Sequence, residues 1–148
     1  MRKRLGTLLL LLILATVALA AYYYFYVAGR EIPGVLKINE STEIRLGKDA
    51  PDGTGAREVL LGEEGKARLK ALLLDTAFRR VLANLVYFER QDQYTIRIQD
   101  QEQALYLNIH VIGNDYISIP DRYGGKHLKI HNPRWQEELE AILSLSQP

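Results

Sequence analysis

YTIRIQDQEQALYLNIHVIGNDYISIP, residues Tyr94 to Pro120, decides the fold. Tyr94, Ile96 and Ile98 alternate with Thr95, Arg97 and Gln99; Leu105, Leu107, Ile109 and Val111 alternate with Tyr106, Asn108 and His110. A period of two puts successive side chains on opposite faces, so these are half-buried antiparallel strands. Gly113, Asn114 and Asp115 supply the turn into a strand over Tyr116 to Ile119. Pro120 to Gly125 forms a second loop before Lys126 to Ile130. A meander of three or four strands follows.

Beyond it, Asn132 as N-cap and Pro133 at the first helical position predict a helix to about Leu145, with Trp135, Leu139, Ile142 and Leu143 on one face. Before it, Glu63 to Leu74 starts with acids and carries Leu69, Leu72 and Leu73 at helical spacing. Val35 to Leu46 reads as a strand or hairpin turning at Asn39, Glu40 and Ser41, and Glu58 to Leu61 as another strand. Gly47 to Gly55 between them is a loop by its turn chemistry. From residue 75 to 93 two patterns compete: Phe78, Val81, Leu82 and Leu85 continue a helical period, while Leu85 to Phe88 suits a strand. The order predicts an α+β domain, a small antiparallel sheet with two helices packed on one face.

The amino-terminal part is of another kind. Leu5 to Val27 is 23 uncharged residues, preceded by Arg2, Lys3 and Arg4 and ending in Tyr22, Tyr23, Tyr24, Phe25 and Tyr26. As a helix it is roughly 34 Å long, enough to cross a hydrocarbon core of about 30 Å with some tilt. The five rings fall where such a helix meets the membrane interface, because tyrosine pairs an apolar ring with a hydroxyl that reaches water. Basic residues before the helix and few after it place the amino terminus in the cytoplasm and the rest outside. Residues 1–28 are then the basic tip and transmembrane helix, 29–34 a tether, and 35–148 the extracytoplasmic domain. Ala18, Leu19 and Ala20 also satisfy the small-x-small rule for signal cleavage near Ala20, which would release a secreted chain.

Setting Arg2, Lys3 and Arg4 aside from the 19 basic residues leaves 16 against 18 acidic, a net charge of −2. That balance argues against nucleic acid or anionic lipid as partners of the outer domain, and Arg79–Arg80 reads as part of a solvated helix face. There is no cysteine, hence no disulfide, lipidated cysteine or thiolate metal site.

By alternation, the sheet face opposite the helices presents Thr95, Arg97, Tyr106, Asn108, His110, Tyr116, Ser118, His127 and Lys129. Cations, hydroxyls and rings on a rigid sheet suit an anionic sugar, a peptide or a protein partner; the plainer reading is a solvated polar face. No catalytic, cofactor or metal set is assigned. His110, His127 and His131 lack an acid spaced to complete a zinc site. Ser118 lacks a nucleophile-elbow context. Gly124–Gly125–Lys126 lacks the rest of a phosphate loop, and Asp49 with Asp52 lacks calcium-loop spacing. Glu63–Glu64 and Glu137–Glu138 are adjacent on helices and point apart.

The succession of anchor, tether, strand, helix, a "YTIRI", "LYLNI", "YISIP" meander and a closing amphipathic helix resembles small membrane-anchored exported domains of unknown function in Gram-positive bacteria, over roughly residues 35 to 145. The resemblance implies an extracytoplasmic accessory module and carries over no site. The expectation is therefore a single-pass module held in the bilayer by residues 5–27, binding a membrane-protein partner or an envelope ligand without a cofactor. The alternatives are a cleaved secreted inhibitor or assembly factor and an envelope hydrolase.

Overall fold

The computed structural model describes residues 2–24, 29, 31–49, 56–81, 93–113, 115–120 and 127–146. Helix α1 spans Arg2–Tyr22, and a single 3-10 turn, Val35–Lys37, leads into the domain. The domain comprises β1 (Glu43–Asp49), β2 (Ala56–Leu60), α2 (Glu63–Asp75), β3 (Ala77–Arg80), β4 (Gln93–Asp100), β5 (Leu105–Ile112), β6 (Tyr116–Ser118), β7 (His127–His131) and α3 (Trp135–Leu145).

The strands form one seven-stranded sheet in the order β2-β1-β4-β5-β6-β7-β3, antiparallel at every pairing. The hairpin β1–β2 makes one edge, α2 carries the chain to β3 at the other, and the meander β4 to β7 fills the space between. The expected α+β class and the meander are thus present, within a larger sheet.

Alternation sorts the side chains as the sequence indicates. Ile44, Leu46, Ile96, Ile98, Leu107, Ile109, Val111, Ile117, Leu128 and Phe78 point inward and are at most 2% exposed. Leu69, Leu72 and Leu73 of α2 and Trp135, Leu139, Ile142 and Leu143 of α3 complete the same core. At roughly 1.5–3 kcal/mol per fully buried large apolar side chain, this layer supplies the main driving force for folding. Trp135 meets Phe78 edge-on, centroids 5.6 Å apart with planes at 89°, an arrangement worth about 0.5–1.5 kcal/mol beyond the area buried.

Polar clamps fix the layer edges. Lys66 and Lys70 of α2 donate to the carbonyls of Glu40 and Ile38, at 2.8 and 2.7 Å, holding the turn before β1 on the helix. Asp100, buried at the end of β4, accepts from Thr42 Oγ1 at 3.0 Å, Ser41 Oγ at 3.2 Å and Gln103 N at 3.1 Å. These hydrogen bonds to its charged form, the Gln103 amide first, hold the Asp100 carboxyl below its ordinary value. Lys48 of β1 pairs with Glu140 of α3 at 2.5 Å, and the Tyr94 hydroxyl donates to the same carboxylate. Burial, then the bond to Glu140, pushes Tyr94 up to about 12.

Three local expectations are corrected and one open alternative is decided. Val35 to Lys37 forms a 3-10 turn, so β1 starts only at Glu43 and runs through Gly47, Lys48 and Asp49, residues assigned above to a loop; residues 50–55 lie outside those described. The helical period does not pass Asp75: the chain turns at Thr76 into β3, because Phe78 finds its apolar partner across the core in Trp135. Arg79 and Arg80 therefore stand on an edge strand, on opposite faces, and the competing strand at Leu85 to Phe88 lies outside the described residues. Lastly, α3 begins at Trp135 with Arg134 at the N-cap; Asn132 Oδ1 instead accepts from Arg134 N at 3.0 Å, closing the turn before it.

Among the described residues no helix is long and apolar enough to cross a membrane. The α-helical part of α1 ends at Tyr22, and residues 25–27 of the expected span lie outside the described residues. Leu8 to Leu14 are nevertheless each more than half exposed.

Candidate functional site

Residues opposed in an antiparallel ladder share a face, so the strand registers place the outer surface of the sheet directly. One row across it runs Glu58, Gly47, Thr95, His110, Ser118, His127. A second runs Leu60, Arg45, Arg97, Asn108, and a third Ile112, Tyr116, Lys129, Arg79. All nine residues singled out by alternation lie on this one face. They differ in access: Thr95 is buried, Asn108, His110, Tyr116, Ser118 and His127 are half-buried, and Arg97, Tyr106 and Lys129 are exposed.

Charge divides the face into two unlike halves. Toward β2, Arg45 and Arg97 stand directly opposite each other, a like-charge pair that costs stability in isolation. Each has its own carboxylate: Arg45 Nε meets Glu43 Oε1 at 2.6 Å, and Arg97 meets Glu58 Oε1 at 3.1 Å. Arg97 is thus already engaged within the sheet, and its capacity for an external anion is reduced.

Toward β3 the same arrangement recurs without the acids. Arg79 is opposite Lys129, and His131, two residues further along β7, is opposite Ala77. Among the described residues neither Arg79, Lys129 nor His131 has an ion-pair or hydrogen-bond partner, and the Nε of Arg79 is buried and unsatisfied. Burial, then the charges of Arg79 and Lys129, hold His131 below its ordinary value. Arg79 and His131 were not on the sequence-derived face. Arg79 was hidden by the unresolved helix-or-strand pattern, and His131 by a strand expected to stop at Ile130.

The rows also decide chemistry. His110 and His127 flank Ser118 on neighbouring strands, which at about 4.8 Å per strand puts them roughly 10 Å apart. His127 and His131 share a face, as the run of β7 to His131 requires, but lie about 13 Å apart along it. Neither pair closes on one ion, and among the described residues no group of three His, Asp or Glu is placed to hold a metal. The acid of the Ser118 row, Glu58, is at the far edge and bonded to Arg97, so the row itself brings no acid to a histidine among the described residues. Asn108 Nδ2 and His110 Nε2 are 3.3 Å apart and face outward together. The arrangement suits recognition of polar and anionic groups by a rigid sheet. No family model, curated protein or solved structure matches this chain.

Proposed function

We propose that the chain is a single-pass membrane-anchored module whose domain lies outside the membrane and binds a membrane-protein partner or an envelope ligand through its outer sheet face. The carrying observation is α1. It is apolar around its whole circumference, and Leu8 to Leu14, Val17 and Leu19 are 52–70% exposed. A helix apolar on all sides is stable only inside a protein core or a bilayer, and the domain's core is already closed by α2 and α3. The basic residues Arg2, Lys3 and Arg4 favour a cytoplasmic amino terminus. The span needed, Leu5 to Val27, and the interfacial rings Tyr22 to Tyr26 come from the sequence. The binding role is favoured over catalysis by the rows of the outer face, where no nucleophile, base and acid converge among the described residues.

The chain has no cysteine, so a single Ser144→Cys variant gives an unambiguous label. On intact cells a membrane-impermeant maleimide should label it, and the protein should stay in membranes through alkaline carbonate. Release by carbonate, or labelling only after lysis, refutes the anchored, outward-facing reading. Mass spectrometry of the amino-terminal peptide separates the anchored form from one cleaved near Ala20.

A further inference from the structure

We propose that Arg79, Lys129 and His131 form a binding site for a phosphate group on the outer face at the β3 edge, turned toward the membrane surface. The sheet contains its own comparison. The outer face has two like-charge cross-strand pairs among the described residues, Arg45–Arg97 and Arg79–Lys129, with the same register geometry and Cβ atoms about 4.5–5.5 Å apart; the sheet's third, Lys48–Arg57, is on the inner face. The first is neutralised by Glu43 and Glu58. The second has no ion-pair partner among the described residues, although Arg79 is half-buried and its Nε lacks a partner. An uncompensated pair of this kind is an electrostatic cost that a bound oxyanion removes.

Spacing agrees with charge. His131 follows Lys129 by two residues on the same face, about 7 Å along the strand, so three donors border one patch. A hollow of about 490 Å³ adjoins His131, lined also by Asp115, Ile130, Asn132 and Pro133; Arg79 and Lys129 do not line it and Asp115 is acidic, so the phosphate site is placed on the open sheet face and not in this hollow. A planar guanidinium, an ammonium and an imidazole N–H match the several equivalent oxygens of a phosphate better than the single face of a carboxylate, and a bound anion favours the imidazolium.

Position points to the membrane, a step that rests on the anchored reading above. A Cβ added to Gly29 would lie 3.9 Å from Ala77 Cβ, and Ala77 is the residue opposite His131. The tether therefore enters the domain beside this patch. Between Tyr22 and Gly29 the chain reaches at most about 25 Å even when fully extended, so the patch cannot lie far from the end of α1. The overall charge of −2 averages over two halves and conceals this local excess.

The test uses the full chain in neutral maltoside micelles and follows the ring signals of His131 by NMR, identified by their loss in His131→Gln. Inorganic phosphate is one probe, and micelles doped with phosphatidylglycerol are the other. A saturable shift of His131, with its titration midpoint raised in the bound state, is expected; Arg79→Gln and Lys129→Gln should each weaken binding about tenfold, and Arg45→Gln should not. Response to both probes identifies a soluble phosphate compound as the ligand, and response to the doped micelles alone identifies a lipid headgroup. The proposal is overturned if neither probe moves His131 in the unsubstituted protein, or if Arg45→Gln weakens binding as much as Arg79→Gln. The first criterion needs no variant to fold. Loss of membrane retention in the carbonate assay with the His131 response intact would remove the anchored reading and leave the site standing.

Discussion

Replacing Phe78 by alanine tests the element that sequence pattern leaves open. Phe78 is fully buried on β3 and packs edge-on against Trp135 of α3. Truncating a buried phenylalanine costs about 3–5 kcal/mol, which includes the cavity left behind; the ring pair places this site toward the upper part of that range, about 4 kcal/mol. That is roughly a thousandfold in the folded-to-unfolded ratio. With a urea slope of about 2 kcal/mol/M, the midpoint should fall by about 2 M. Trp135 is the chain's one tryptophan and lies against the substituted ring, so its fluorescence reports the transition directly. Phe78→Leu, which keeps most of the volume and loses the ring pair, should cost about 1–2 kcal/mol. A midpoint shift under about 0.5 M for Phe78→Ala, at unchanged slope, would refute the placement of β3 in the sheet and of Phe78 in the core.

Three further outcomes are expected. Gly34→Ala should destabilise by about 1–2 kcal/mol in the same assay, since Gly34 has φ +91° and its Cβ would come within 2.6 Å of Leu105 Cδ1; an unchanged midpoint would show that the turn into the domain is relaxed. Glu140→Gln removes the Lys48 ion pair and weakens the acceptor for Tyr94. Because Glu140 is 41% exposed the loss should be only about 1 kcal/mol, and the Tyr94 phenol, followed by carbon NMR of its ring, should titrate lower than about 12. Burial alone keeps it above the ordinary value, so an unmoved midpoint would disprove the bond. Stability should also fall with acid in two steps. His131, Asp100 and Glu140 are all held below their ordinary values of 6.5, 3.8 and 4.5. For such groups the unfolded chain binds protons more readily, so stability is complete above the ordinary value and is lost as pH drops through the folded one. A small decline below about 6.5 and a larger one below about 4.5 are expected in melting temperature; a flat profile from pH 7 to 3 would contradict both steps.

The sequence by itself determined the α+β class, both domain helices, the strands of the meander and which sheet face their residues take, although Thr95 on the outer face is buried. These follow from local periods of two and 3.6 residues, set by backbone geometry and visible without any partner. It also marked Leu5 to Val27 as a run of 23 uncharged residues unlike the patterned domain that follows. What it left undecided is what depends on distant partners. Whether Phe78 continues a helix or starts a strand turns on Trp135, far along the chain. Whether Arg97 is free turns on Glu58 of another strand, and whether Arg79 and Lys129 meet turns on the register between β3 and β7. A period assigns a residue to a face; only the register across the sheet assigns it a neighbour. The sequence thus indicated a polar outer surface, whereas the tertiary structure divided it into a half where Arg45 and Arg97 are paired with carboxylates and a half where Arg79 and Lys129 have no ion-pair partner among the described residues.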